Sequence, residues 1–259
     1  DSFVLQRLIN LYATHGLKLL KLDFVKSYFT HFAGKVNPTK LSSIRDKDGK
    51  RLFDLPDTVS PDIKPNRYEQ LADLIRHYKP KSILEVGTWN GGRAIEMALA
   101  AFETQDSITY YGFDLFEDAN SEIDEEEFNF KAHNKVDAVI KRFTEFANKM
   151  KEKNKTFNFT VLKGNSRETL KNYNKKIDLA LIGGGNSIPT VKSDYENLKH
   201  IPVVVFDHLF TKDEQDLIPP EDYQGVNVLY ESLKEKRRRV LPSGDRVVGG
   251  GHTHLACVI

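Results

Sequence analysis

The chemistry of this chain concentrates in Ser82–Gly92, which reads S-I-L-E-V-G-T-W-N-G-G. An apolar run ends on Glu85, glycines follow at Gly87, Gly91 and Gly92, and a helix-forming stretch runs from Arg93 to Phe102. A strand, a glycine turn and a helix in that order bring backbone N–H groups against a small ligand. A side chain at the glycines would block the ligand or forbid the turn. The turn is not a dinucleotide fingerprint, because Trp89 stands where the second glycine belongs and a pyrophosphate needs close backbone approach there. Glu85 would repel a phosphate and would hold an amino group.

Two further places follow in chain order. Asp114 comes directly after a second apolar run in Y-Y-G-F-D-L-F. A carboxylate at a strand end can accept both hydroxyls of a ribose, or can cap a helix. Gly164-Asn165-Ser166 follows a third run. Asn165 can donate to and accept from an adenine edge, while Ser166 reads equally as the N-cap of the next helix, with Glu168 supporting it. Asp207-His208 ends a later run and offers a base for an acceptor hydroxyl. His252 and His254 share a strand face, but two histidines without a third ligand read as a surface strand. The cluster Lys234, Lys236, Arg237, Arg238, Arg239 reads as a solvated helix end, and Glu122–Glu127 as a solvated acidic loop in the place of a lid.

The elements that must position these residues alternate from Lys81 onward. Strands are expected at Ser82–Val86, Ile108–Phe113, Phe157–Leu162, Ile177–Ile182 and Val203–Phe206. Helices are expected at Gly92–Phe102, Asn134–Lys153, Ser166–Tyr173 and Ile188–His200. Repeated βαβ with apolar strands argues a parallel sheet covered on both faces. A helix over Val226–Lys236 and strands at Arg238–Leu241 and His254–Ile259 follow, the last two joined by the turn Pro242-Ser243-Gly244-Asp245 as an antiparallel hairpin. Before Lys81, helix periodicity covers Ser2–Ala33 with a break at Gly16. A proline-bearing linker spans Asn37–Asn66, and a helix is expected at Arg67–Tyr78.

Composition narrows the class. The chain has 259 residues, 39% of them hydrophobic and 29% charged, with a formal net charge of +1. No strong field draws it to nucleic acid or an anionic membrane. No apolar run reaches the ~20 residues that span a bilayer. The single cysteine, Cys257, permits no internal disulfide, so a cytoplasmic setting is expected.

In the order of its motifs the chain resembles the class I S-adenosylmethionine-dependent methyltransferases. It is most similar to the subgroup with macrolide-sugar and cephalosporin-pathway O-methyltransferases (methyltransferase family 24-like). The carriers are Glu85–Gly92, like E-V-G-T-x-x-G-G, then Asp114, then Gly164-Asn165-Ser166. The resemblance covers roughly residues 67–259. It implies an α/β, Rossmann-like fold with a seven-stranded, mostly parallel sheet and an antiparallel last strand. It implies S-adenosylmethionine as cofactor, held by Glu85, Gly87, Thr88, Trp89, Asn90, Gly91, Asp114, Leu115, Asn165 and Ser166. Residues 1–66 would form a helical appendage, as a lid or an oligomer contact.

One departure stands out. Where the subgroup reads I-D-G-D-H-S, this chain reads Ile182-Gly183-Gly184-Gly185-Asn186-Ser187, without the acidic side chains and the histidine. Asp207 and His208 remain, and two side chains from one loop make a poor Mg²⁺ cage. The expectation is therefore O-methylation of a small molecule without a metal, with Asp207 or His208 as base and with neither nucleic acid nor membrane as partner. The alternative is a catalytically silent cofactor-binding protein on the same fold. The three glycines themselves read either as a loop emptied of function or as one opened to admit a bulky substrate or the cofactor's backbone.

Overall fold

The computed structural model describes residues 66–129, 131–171, 173–211, 225–233, 237–242, 244–246 and 252–259. The helices expected within 2–33, the linker 37–65, the loop 212–224 and Lys234 and Lys236 of the basic cluster lie outside the described residues.

Five strands form the parallel part of the sheet: β1 (Ser82–Val86), β2 (Ser107–Asp114), β3 (Thr156–Lys163), β4 (Leu179–Ile182) and β5 (Val203–Thr211). β6 (Arg238–Val240), the two-residue β7 (Asp245–Arg246) and β8 (His252–Val258) complete it. The order is β3-β2-β1-β4-β5-β8-β6, with β7 also on β8. β8 pairs antiparallel with both β5 and β6, so the reversed last strand and the terminal hairpin are as the sequence predicts. β1 and β4 are buried at every position because helices cover both faces. The chain leaves β1 for β2 on one side and reaches β4 on the other. That reversal opens a crevice beyond the carboxyl ends of the strands, where ligands of such sheets bind.

The helices are α1 (Asn66–Tyr78), α2 (Gly92–Phe102), α3 (Ser121–Glu126), α4 (Val136–Lys151), α5 (Ser166–Thr169), α6 (Ile188–Leu198) and α7 (Gly225–Ser232). α1 carries Glu69 in its first turn and Arg76 and His77 in its last, each complementing the helix dipole. It ends before Pro80, which restricts the residue ahead of it. α4 buries Val139, Phe143 and Met150 on one stripe. Phe143 meets Tyr110 at 5.4 Å, Phe157 at 5.7 Å and Phe159 at 5.3 Å, each edge-on.

Four local readings need correction. The acidic run is not a plain loop: α3 forms within it, because Asn120 Oδ1 accepts the Ile123 N–H at 2.9 Å as an N-cap. The expected helix over 166–173 shrinks to the four residues of α5. β5 runs past Phe206 to Thr211, its pairing with β8 interrupted by an irregularity between Phe206 and Leu209. His208 sits in that bulge with φ 66°, so the extra residue re-aims Asp207 rather than ending the strand. His254 also departs from the surface reading: it is buried, and its Nδ1 lies 2.9 Å from the Leu241 carbonyl. Among the described residues, no helix is long and apolar enough to cross a membrane.

Phe143 is fully buried at the centre of the aromatic group. Phe143→Ala is expected to lower the free energy of unfolding by about 3–5 kcal/mol. Urea denaturation with an unchanged m-value would register this as a lower midpoint.

Candidate functional site

The turn after β1 is fixed from two sides. Gly87 has φ 95°, a conformation that favours glycine. A Cβ there would stand 2.5 Å from the Gly183 carbonyl oxygen and 2.7 Å from Gly184 Cα. The Gly183 N–H donates to the Val86 carbonyl at 2.9 Å, so the turns after β1 and β4 touch backbone to backbone. On the other side, Asp114 at the end of β2 accepts the Trp89 N–H on one oxygen and the Phe116 N–H on the other, each at 2.7 Å. Burial raises the Asp114 carboxyl, and the two backbone donors pull against that rise.

Two clefts open on either side of the Gly87–Gly183 contact. The first encloses about 900 Å³, partly open to solvent, and is lined by Asp114, Leu115, Gly164, Asn165, Ser166 and the α3 segment among others. The second encloses about 940 Å³ and is lined by Tyr68, Glu85, Thr88, Asn90, Arg93, Glu96 and Asp207 among others. Gly87, Trp89, Lys131 and Gly183 line both. Thus the structure places Gly87, Trp89, Asp114, Leu115, Asn165 and Ser166 on the first cleft, and Glu85, Thr88 and Asn90 on the second. Gly91 lies behind the turn, where a Cβ would meet the Phe143 ring. Asn165, not Ser166, is the N-cap of α5, its Oδ1 accepting the Arg167 N–H at 2.9 Å.

Glu85 is buried and accepts the Tyr110 hydroxyl at 2.5 Å, while Thr88 Oγ1 lies 3.2 Å from the same hydroxyl. Burial and the Glu85 charge push the Tyr110 phenol well above its ordinary value, so it stays a donor. Arg93 lies against the face of Tyr68. Its Nη1 is buried without a hydrogen-bond partner among the described residues.

Asp207 is enclosed by groups absent from the motif reading. Tyr68 donates to Asp207 Oδ2 at 2.7 Å, and Arg67 Nε lies 3.3 Å from Oδ1. Arg67 also reaches Asp245 at 3.3 Å, joining α1 to the middle of β5 and the start of β7. Burial works to raise the Asp207 carboxyl, but Arg67, His208 and Arg93 hold it well below the usual carboxylate range. Burial and Asp207 push the Tyr68 phenol up to about 12. His208 is buried beside Asp207 and lines neither cleft.

The segment after β2 roofs the first cleft. Trp89 Nε1 donates to the Ala132 carbonyl at 2.9 Å, and Lys131 Nζ stands 5.9 Å from the Trp89 ring centroid. His133 Nε2 lies 2.7 Å from Asp124 Oδ1. At the far edge Glu127 reaches the start of α6, where its carboxylate accepts the Ser187 N–H at 3.0 Å and the Ser187 hydroxyl at 2.9 Å. It also accepts from Thr190 Oγ1 and lies 3.1 Å from Arg167. A Cβ on Gly185 would collide with the Glu127 carboxylate. The three glycines thus pack closely: a Cβ on Gly183 would press on Asp207 at 3.2 Å and one on Gly184 on Val86 at 3.1 Å, while Gly185 leaves room for Glu127. Among the described residues, no three His, Cys, Asp or Glu side chains converge as a metal site.

Motif reading missed Arg67, Tyr68, Arg93, Lys131 and Glu127. The available signal was weak: Arg67-Tyr68 opens a helix and Arg93 follows the glycine turn, with no spacing rule that joins them.

Residues 84–204 match the family model of a methyltransferase domain. Among curated proteins no sequence matches the chain. Among solved structures it is similar to the O-methyltransferase TomG of Streptomyces achromogenes, involved in tomaymycin synthesis and solved with S-adenosylmethionine. Identity is 16%, TM-score 0.50, with 97% of this chain and 95% of that chain covered. It is also similar to cofactor-bound Rv0187 from MTB, at 13% identity and TM-score 0.50, with 95% and 94% covered. Both likenesses concern the fold.

Two outcomes test the site's electrostatics. Glu127→Ala strands the buried Ser187 N–H, and should cost about 1–3 kcal/mol and accelerate hydrogen exchange at Ser187 and through α3. Asp194 on α6 is fully buried, and among the described residues neither of its oxygens has a well-formed hydrogen bond. Burial, reinforced by Glu127, pushes its carboxyl from 3.8 up to about 7, against weaker pulls from Ser166 and Arg167. The folded form therefore holds this proton more tightly than the unfolded chain. Stability from this group is lost as pH rises from about 4 to about 7. Asp194→Asn should flatten that slope and exceed wild-type stability at pH 8 by on the order of 2–4 kcal/mol.

Proposed function

We propose that this chain is a class I S-adenosylmethionine-dependent methyltransferase that carries out O-methylation of a small molecule, with its cofactor lying across the two clefts. The observation that carries this reading is that the two clefts share Gly87, Trp89, Lys131 and Gly183 in their lining, so that one ligand can reach into both.

The residues fit the cofactor at both ends. Asp114 faces the first cleft with lone pairs to spare and would accept the ribose hydroxyls. Asn165 and Ser166 line the wall where adenine would lie, the Asn165 amide N–H₂ still available because the cap uses its oxygen. In the second cleft Glu85 would hold the amino group, and the unpartnered Nη1 of Arg93 would take the carboxylate. Thr88, Trp89, Asn90 and Gly91 shape the turn between, and Leu115 the ribose end. Bound there, S-adenosylmethionine supplies an electrophilic methyl group on a sulfonium that carries its own leaving group. The protein's part is then alignment and removal of one proton.

Asp207 supports this by anchoring rather than by taking that proton. A carboxylate paired with Arg67 and hydrogen-bonded by Tyr68 is a weak base, and it fixes α1 against the second cleft. His208 sets the bulge that aims Asp207. The reaction proceeds without a divalent metal in this reading, since Gly183–Gly185 offer no ligating side chains and Asp207 is engaged by Arg67. The acceptor is a small molecule rather than nucleic acid, in keeping with a net charge of +1. The setting is cytoplasmic, with Cys257 a buried thiol, and residues 1–66 serve as a lid or a contact between copies.

Calorimetry should give binding of S-adenosylhomocysteine and none of NAD; NAD binding alone would contradict the reading. Asp114→Ala should weaken S-adenosylhomocysteine about 10- to 100-fold, since a hydrogen bond to a charged group contributes ~1.5–3 kcal/mol. Methyl transfer to a panel of hydroxyl acceptors separates an enzyme from a silent binder: binding without transfer to any of them favours the silent binder.

A further inference from the structure

The proton of the acceptor hydroxyl needs a destination, and several ionisable groups line the second cleft. Asp207 is held by Arg67 and Tyr68, and Glu85 by Tyr110. Tyr68 is itself a donor to Asp207. Glu96 is exposed at the rim. Where the two clefts meet, the shared lining is Gly87, Trp89, Lys131 and Gly183, and of these Lys131 alone carries a titratable side chain. Lys131 lines both clefts, and its Nζ stands 5.9 Å from the Trp89 ring centroid. We propose that the Lys131 Nζ accepts the proton from the methyl-acceptor hydroxyl. This rests on the cofactor lying across both clefts.

The surroundings suit that role. Removal from water disfavours the ammonium and brings the lysine down to about 8. Asp207 on β5 and Asp114 on β2 favour the charged form, while Arg93 on α2 and Arg67 on α1 oppose it. Glu85 on β1, Glu96 on α2 and Tyr68 on α1 share the second cleft, and His133 lies two residues along the same segment. An amine titrating there is substantially neutral at slightly alkaline pH and is matched to general-base work. Lys131 Nζ in its neutral form takes the hydroxyl proton while the acceptor oxygen bonds to the methyl carbon. The C–S bond opens with its electron pair left on sulfur. The positive charge lost by the sulfonium is thereby carried by the Lys131 ammonium, which later releases its proton to water.

The test has two arms. In the first, the side-chain ¹³Cε resonance of Lys131, identified by its loss in Lys131→Met, is titrated in the full chain without any acceptor. A midpoint near 8 is expected; a midpoint at the ordinary value of about 10.4 overturns the inference. In the second, kcat is followed against pH with an acceptor from the panel. The wild type should rise to a plateau above about 8. Lys131→Met and Lys131→Arg should both lose roughly 100- to 10,000-fold in kcat while still binding S-adenosylhomocysteine. Rescue by Lys131→Arg would show that only the charge matters and would overturn the inference, as would near-wild-type kcat in Lys131→Met. If the wild type transfers no methyl group at all, the proposed function fails, and the titration still decides the state of Lys131.

Discussion

The contact between the turns after β1 and β4 is the constraint on which the site depends. Gly183 donates to Val86, and the space where a Gly87 side chain would stand is taken by the Gly183 carbonyl. Strand order brings these two ends together, because β1 and β4 are neighbours across the reversal of the sheet. Once they touch, two clefts are unavoidable, one toward β2 and β3 and one toward α1 and β5. A side chain at Gly87 would separate the turns and disturb both clefts at once, whereas one at Gly183 would press on Asp207.

Charge then closes the arrangement from the outside. Arg67 joins Asp207 and Asp245, and Glu127 joins the roof of the first cleft to the start of α6. A buried ion pair adds little net stability over an apolar contact of the same shape, yet losing one partner leaves a buried charge at a cost of about 3–5 kcal/mol. Such pairs therefore act as locks on geometry. In the proposed reaction the Arg67 lock keeps Asp207 out of proton chemistry, and the proton passes to Lys131 instead.

Much of the frame was legible in the sequence, because β1 and α2 obey short-range rules. Apolar strands of five to eight residues, a glycine turn and an alanine-rich helix announce themselves within a few residues. Asp114 was legible for the same reason, standing at the end of β2. What stayed hidden depends on long-range pairing. Tyr68 and Asp207 are 139 residues apart. α3 has six residues and no buried side chain, so no apolar stripe marks it. The triple glycine looked like a motif stripped of its ligands, and only the approach of Gly87 and Glu127 gives it a physical reason. Lys131 lies in an irregular segment, where nothing local distinguishes it from the other lysines.

The most direct measurement is a crystal structure with S-adenosylhomocysteine. The account predicts the sulfur beside the Gly87–Gly183 contact, the ribose hydroxyls on Asp114, the amino group toward Glu85 and the Lys131 Nζ facing the open side of the sulfur. A ligand confined to one cleft, or one whose ribose turns away from Asp114, would contradict it.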